Sequence, residues 1–306
     1  MGNNKVRSGI CPLLDKETEI RESHIFPKFV YKSLKWNNNS KFVTRQVRCV
    51  PKQDGLKRYL LGKEAEIIFS QYENWFARYI YKPFRNGELN GVVEYDEHLY
   101  YFLVLQIWRS CLFVTNEYEK DTFADGLYET ILLAMSEWKQ YLVNKTLPQN
   151  YYNFYLMPIE TKLIRIPRFL ETEFYIRRNI EFNIMNSDTQ KAVYCKLPSF
   201  IIWAPLCQDS NINYGFNIEP IGGSFDLSDY SITDIDIIDY LVYKVNQTVE
   251  WRKQMALLNP QKIKNNQAKM AKDKDFQDSE LAEILSMPSL SEMQLSGEDY
   301  TMSFIL

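Results

Sequence analysis

Cys11-Pro12-Leu13-Leu14, then Glu22-Ser23-His24-Ile25-Phe26-Pro27-Lys28-Phe29, then Leu60-Leu61-Gly62-Lys63-Glu64-Ala65-Glu66 and on to Glu73: this stretch decides how the opening part of the chain folds. Residues 1–10 read as an arm. Residues 11–20 predict a short hairpin, with Leu13 and Leu14 packing inside its turn, Leu60 and Leu61 on the opposite side, and His24 at the end of the second strand. Phe29, Val30, Tyr31 and Leu34 predict a short helix, followed by a loop at Asn37-Asn38-Asn39-Ser40. Residues 41–50 alternate in part through Phe42, Val43, Val47 and Val50 and are expected to form a strand, with Asp54-Gly55 as a hairpin-type turn. From Lys63 to Tyr81 the apolar residues Ala65, Ile68, Phe69, Tyr72, Trp75, Phe76, Tyr79 and Ile80 recur at three- and four-residue steps. That is the period of an amphipathic helix whose stripe joins the core.

Outward from this stretch, residues 96–119 are apolar nearly all round, which predicts a central, buried helix. Arg109 inside it needs a carboxylate, because a lone buried guanidinium is costly; Glu66 and Glu73, seven residues apart on the preceding helix, are the candidates. A third helix is expected over 122–143, with Leu127, Ile131, Leu132, Met135, Trp138 and Leu142 on its inner side. After Pro148 the segments 153–157, 163–168, 173–185, 192–204 and 213–218 are rich in Ile, Phe, Tyr and Val, the texture of a mostly antiparallel sheet, closed by Gly222-Gly223. Residues 232–258 read as a long helix opened by Asp234, Asp236 and Asp239, acids favoured there by the helix dipole. From Pro260 the core-forming pattern stops. Residues 261–274 carry five lysines, and 276–306 carry six acids and no Lys or Arg. That composition reads as a flexible basic-then-acidic tail, with a short helix over 279–285 that orders against a partner.

A chain of 306 residues that is 45% hydrophobic and 15% aromatic has enough apolar surface for one large or two modest cores, which excludes a disordered or fibrous protein. Its five cysteines are odd in number and scattered, so no disulfide framework is expected and a reducing cytoplasm is favoured. The polar start Met-Gly-Asn-Asn-Lys gives no secretory signal. The most apolar window, 99–114, contains Gln106 and Arg109 and is shorter than the roughly 20 residues of a membrane span. The net charge of −3 hides an asymmetry: residues 1–82 hold 16 Lys+Arg against 8 Asp+Glu, leaving the remainder acidic. Between Lys28 and Lys63 stand ten basic residues and a single acid, Asp54. A basic module on an acidic remainder is what phosphate-backbone binding looks like, with Lys28, Arg45, Arg48, Lys52, Lys57 and Arg58 as its contacts; a solvated basic face is the alternative reading.

The opening layout resembles the HNH (His-Me) finger, in which a Cys-x-x-Cys pair opens a hairpin, a histidine at its end activates water, and a second Cys-x-x-Cys leads into a helix bearing a metal ligand. More closely, residues 8–115 resemble a group of bacterial HNH-related proteins found among phage-defence genes, with the pattern Cys-x-x-Cys, Ser-His-x-x-Pro-Lys-Phe and Leu-x-Cys-x-x-Cys-Glu. The matching positions are Ser23, His24, Pro27, Lys28, Phe29, Leu61 and Glu66, followed by Tyr72, Glu73, Phe76, Tyr95 and Trp108-Arg109. Cys11 alone of the four knuckle positions is kept, the others holding Leu14, Gly62 and Ala65. One cysteine cannot hold structural zinc, so none is expected. Together these readings give an α+β chain: a degenerate, basic ββα finger (1–82), helices packed on it (83–147), a β-rich part with a long closing helix (148–259) and the tail (260–306).

For chemistry, the resemblance implies His24 as the general base on water and a Mg²⁺ or Mn²⁺ ion steadying the phosphodiester. Glu66 is the candidate ligand, with Glu22 or Glu73 as substitutes and Ser23 at the position before the histidine. Serine is a poor ligand for Mg²⁺, and one carboxylate binds it weakly. His24 and His98 are the two histidines of the chain, so no further imidazole compensates. Cys49, Cys111, Cys195 and Cys207 are expected to be buried thiols. Two readings follow. One is a catalytically impaired, HNH-derived component of an anti-phage system, cytoplasmic, that binds nucleic acid through the basic module or a partner protein of the same operon through the β-rich half and tail. The other is an active metal-dependent DNA or RNA endonuclease. The lost knuckle cysteines favour the first.

Overall fold

The computed structural model describes residues 7–37, 40, 54–164, 166–186, 190–207, 215–258, 260–261, 265, 268, 270 and 272–290. Arg7–Ile10 (β1), expected to belong to an arm, pairs antiparallel with Glu17–His24 (β2). The turn between them closes through its own backbone. The Cys11 N–H donates to the Lys16 carbonyl and the Asp15 N–H to the Cys11 carbonyl, both at 2.9 Å. Cys11 and Leu13 are buried in the same apolar core as Leu61 and Ala65, and Asp15 fastens the outside of the turn to Lys139 at 2.6 Å.

Lys28–Ser33 (α1) follows β2, and Lys57–Gly62 (β3) returns to pair with β2, His24 opposite Lys57 and Ile20 opposite Gly62. The strand expected over 41–50 lies outside the described residues. Gly62 is required where it stands, because a Cβ there would lie 2.4 Å from Cγ2 of Thr18. Lys63–Phe76 (α2) runs through a π-helical turn, Ala77–Tyr81, into Lys82–Arg85 (α3), and Pro83, which has no N–H to donate, follows directly on that turn.

Val92–Asp96 (β4) leads into Glu97–Glu117 (α4), capped by the Asp96 carboxylate accepting the His98 N–H at 2.9 Å. Every residue of α4 from Leu99 to Val114 is buried. The sequence requires this: a helix apolar on all faces is stable only when covered on all faces, and each large apolar side chain so buried contributes roughly 1.5–3 kcal/mol. Its covers are α2, Leu127–Asn144 (α5) and the main sheet. On α5 the inward stripe is Ile131, Ala134, Met135, Trp138 and Leu142, whereas Leu132, expected inside, is 43% exposed. It lies one residue off the stripe.

The remaining elements are Tyr155–Pro158 (β5), Thr161–Ile164 (α6), Leu170–Arg178 (α7), Glu181–Asn186 (β6), Lys191–Leu197 (β7), Phe200–Pro205 (β8), Phe216–Asn217 (β9), Gly222–Asp226 (β10) and Ile235–Leu258 (α8). Two segments expected as strand, 163–168 and the start of 173–185, contain helix instead. In α7 the acids Glu171 and Glu173 fill the first turn and Arg177 and Arg178 the last, the arrangement a helix dipole favours, and this outweighs the β-like aromatic content. Gly222-Gly223, expected to close the sheet, opens β10, which pairs antiparallel with β4.

Five antiparallel strands in the order β6-β7-β8-β5-β9 form the main sheet. Its inner strands β7, β8 and β5 are buried on both faces, so they read as largely continuous apolar runs rather than as polar alternation. Val193, Cys195, Phe200 and Ile202 point into the core shared with α4 and the hairpin. Tyr194, Ile201 and Trp203 point into a second core completed by Leu241 and Val245 of α8. The first core runs from Cys11 to Phe225, across the composition change at Pro148. Asp234, one of the acids at the start of α8, accepts the Ile237 N–H at 3.0 Å and serves as its cap. In the expected flexible tail, the helix Glu280–Leu285 instead lies on α7 with Ile284 fully buried. The chain is thus a mixed α+β fold built on antiparallel sheets. Among the described residues no helix is long and apolar enough to cross a membrane.

Candidate functional site

His24 stands where β2 ends, and β3 brings Asp54 and Lys57 beside it. Its Nε2 is 2.8 Å from Oδ1 of Asp54, and the other Asp54 oxygen is 2.5 Å from Nζ of Lys57. Tyr31 of α1 lies against the imidazole at 5.4 Å between ring centroids, and its hydroxyl accepts the Leu56 N–H. Gly55 makes that approach feasible: a Cβ there would meet the Tyr31 ring at 2.1 Å. Burial lowers the His24 pKa below 6.5, the Asp54 hydrogen bond working against burial and the Lys57 charge adding to it. Burial opposes the Asp54 charge, but hydrogen bonds from Lys57, His24 and the Gly55 N–H outweigh it and hold the carboxyl well below the usual range. A neutral imidazole here donates Nε2–H to Asp54 and keeps Nδ1 as the basic nitrogen. Among the described residues, Nδ1 has no hydrogen-bond partner. Asp54 is the site residue that the sequence reading missed, although it was visible as the one acid in a basic run.

The carboxylates expected around a metal ion stand elsewhere. Glu73 forms an ion pair with Nη1 of Arg109 at 2.7 Å, inside the protein, where the Arg109 side chain is 2% exposed. Arg109 Nη2 donates to Gln106 at 2.8 Å, and Gln106 donates to the carbonyl of Ile25, the residue after His24. Burial raises the Glu73 carboxyl, Arg109 pulls it down, and the charge of Glu66 adds to the rise. Glu66 is therefore a neighbour of Glu73, and its Oε1 is buried with no hydrogen-bond partner. The groups whose charge or hydrogen bonding acts most on His24 are Asp54, Lys57 and Arg109; Glu66 is not among them. Ser23 is fully buried, its hydroxyl turned to the Arg21 carbonyl, and Glu22 is exposed on β2. For a divalent ion this donor set fits poorly: one carboxylate is neutralised by a guanidinium, a second is a neighbour of that carboxylate and not among the groups acting most on His24, and the serine faces inward. The described residues contain no group of three or more His, Cys, Asp or Glu placed to hold a metal. Cys111 and Cys195 are buried, and burial pushes both thiols up, Cys195 to about 12. Cys49 lies outside the described residues.

The expected phosphate contacts divide three ways. Arg45, Arg48 and Lys52 lie outside the described residues. Arg58 is engaged by Glu117 in a two-point ion pair and packs over Phe113, while Lys57 belongs to the His24 corner. Lys28 opens onto a groove of about 1070 Å³ between α1 and the segment 73–86. Lys28 and Lys32 project from α1 at i and i+4, and Arg78 and Lys82 project from the opposite wall at the same spacing. All four are exposed, and none has a carboxylate partner among the described residues. Sequence reasoning passed over Lys32, Arg78 and Lys82, because the two rows face each other only in the fold. Comparison of the chain with protein-family models, with curated proteins and with solved structures returns no match.

Proposed function

We propose that this protein is a catalytically impaired, HNH-derived component of an anti-phage defence system that binds nucleic acid. The observation carrying the binding is the groove, which Glu73 and Glu280 also line, where two helical rows of exposed cations face each other and none of the four is paired with a carboxylate among the described residues. Such an array releases counterions when it takes a phosphate backbone, the sequence-independent source of affinity for nucleic acid. The finger ancestry rests on the Ser23-His24-x-x-Pro27-Lys28-Phe29 resemblance and agrees with the order of hairpin, returning strand and helix around His24. The link to phage defence rests on the same resemblance. Impaired catalysis is supported by the pairing of Glu73 with Arg109, which occupies a carboxylate that a divalent cation would need, and by the turn at Cys11, which is closed by backbone hydrogen bonds and by the burial of Leu13.

A second reading, an active endonuclease, is favoured by one observation: His24 is a neutral imidazole oriented by a carboxylate, the arrangement of a general base. Incubating purified protein with supercoiled plasmid and with single-stranded RNA, in Mg²⁺, Mn²⁺ or EDTA, separates the two. The expected result is retarded but uncut nucleic acid in all three. Metal-dependent cutting that disappears in His24→Ala would make the endonuclease reading the correct one.

A further inference from the structure

At one end of the groove lies a cluster of arginines that the proposed function does not use. Arg85, at the end of α3, and Arg177 and Arg178, at the end of α7, converge on one carboxylate, Glu280 of the tail helix. Arg177 Nε reaches Oε1 at 2.9 Å and Arg178 Nη1 reaches Oε2 at 3.3 Å, while Arg85 Nη2 contacts both oxygens. Around this centre Arg168 pairs with Glu173 and Glu283, and Arg177 also reaches Glu283. With the tail in place, four arginines meet three carboxylates. Without Glu280 and Glu283, the same four meet Glu173 alone.

Two of these arginines are held by contacts that do not involve the tail. Arg178 donates to the Ser33 and Leu34 carbonyls at the end of α1, and the Arg85 Nη1 donates to the Tyr81 hydroxyl at 2.9 Å. Their guanidinium groups therefore stay aimed at the position of the Glu280 carboxylate whether or not it is filled. Cavities open on both sides of that position: the groove with Lys28 and Lys82, and a second pocket of about 470 Å³ beside Thr161, Lys162 and Arg168. Both are lined by Arg85, Arg177 and Glu280. A planar fork of guanidinium donors suits a phosphate as well as a carboxylate, and a site open at both ends along a cationic track suits a linear polyanion.

We propose that Arg85, Arg177 and Arg178 form a phosphate site for a nucleic-acid strand running along this groove, and that Glu280 of the acidic tail occupies the site as an internal competitor. The inference rests on the nucleic-acid reading above and adds to it where the strand lies and what regulates its access. The competitor is held moderately. Its helix spans six residues, with Ile284 buried on α7, and Glu171 anchors the chain beyond it by accepting Ser289 Oγ at 2.7 Å and the Leu290 N–H at 3.0 Å. A ligand that binds only the open state has its affinity reduced by the fraction of molecules that are open.

The test is fluorescence anisotropy of labelled oligothymidylate and oligouridylate on the full chain. Wild type is compared with Glu280→Gln, with the double variant Lys28→Glu/Lys82→Glu, and with all three changes together. Glu280→Gln should bind at least about tenfold more tightly. The double variant should lose affinity in both backgrounds and flatten the salt dependence by roughly 0.7 per contact removed. Binding by wild type that neither change alters would overturn the proposal while leaving a nucleic-acid-binding protein. No binding by any of the four proteins would overturn this proposal and the function together. Should Glu280→Gln fail to fold, the double variant decides alone, since Lys28 and Lys82 are exposed: affinity unchanged from wild type would overturn the assignment.

Discussion

Two arginine–carboxylate clusters lie on either side of the segment 73–86, and they are built for opposite purposes. At Arg109 the charges are largely buried: the guanidinium, 2% exposed, meets Glu73 and Gln106, with Glu66 near Glu73, and all are contributed by two long helices, α2 and α4. At Arg85, Arg177 and Arg178, with Arg168 beside them, four cations meet three carboxylates, cavities flank the contact, and the main carboxylate comes from a short helix almost two hundred residues away in sequence from Arg85. The first is a largely buried structural pair. The second is an anion site with an exchangeable occupant. A buried pair is costly to break from one side, whereas a partly open one costs less and frees its partners for another anion.

The sharpest way to break this comparison is to remove one partner of the buried pair. Arg109→Met or Glu73→Leu alone should lower stability by about 3–5 kcal/mol in urea denaturation, and the two together should recover most of it. If either single change cost nothing, the cluster would be no more structural than the other. The next effect is on the open cluster and depends on pH. Burial raises the Glu280 carboxyl, but Arg85, Arg177 and Arg178 outweigh it and leave the pKa below 4.5. The folded value lies below the unfolded one, so docking of the tail is fully stabilised above pH 4.5 and weakens as pH falls through the lowered folded value. Hydrogen exchange should therefore show the amides of Glu280–Leu285 losing protection in acid before those of α4. Simultaneous loss in both would merge the two clusters into one cooperative unit.

The smallest effect belongs to the His24 corner, which borders the buried cluster. Because Asp54 raises the His24 pKa against burial and Lys57, Asp54→Asn should lower it further. Imidazole NMR titration measures this, and a rise would show that Asp54 does not orient the ring. The folded pKa of His24 is below its unfolded value, so its neutral state favours folding above pH 6.5, and that contribution shrinks as pH falls from 6.5 through the folded pKa.

What the sequence made legible follows from how local each signal is. The hairpin ending at His24, the all-apolar α4 and the need of Arg109 for a carboxylate were readable because period and burial cost are written in adjacent residues. Helix α7 was not, since nine residues hold too few turns for a helical period to stand out against Phe174, Tyr175 and Ile176. The pairing of β4 with β10 joins residues more than a hundred positions apart, and no local pattern encodes it. The groove was half legible: Lys28 stood out within a basic run, but its facing row, Arg78 and Lys82, lies off the apolar stripe of the preceding helix and just past its expected end, where nothing in the local sequence sets it opposite α1. The tail was read as flexible, with a short helix over 279–285 ordering only against a partner, because its apolar residues are sparse. Ile284 and Leu290 suffice for docking because α7 and Glu171 receive them.

The most direct test of the central claim is a salt series of oligonucleotide binding by the intact chain, followed by anisotropy from low to physiological ionic strength. The account predicts that log K falls linearly with log salt, with a slope of about −3 if the four groove cations each meet a phosphate of a single strand. Failure to bind at low salt would contradict it and leave the groove a solvated basic surface.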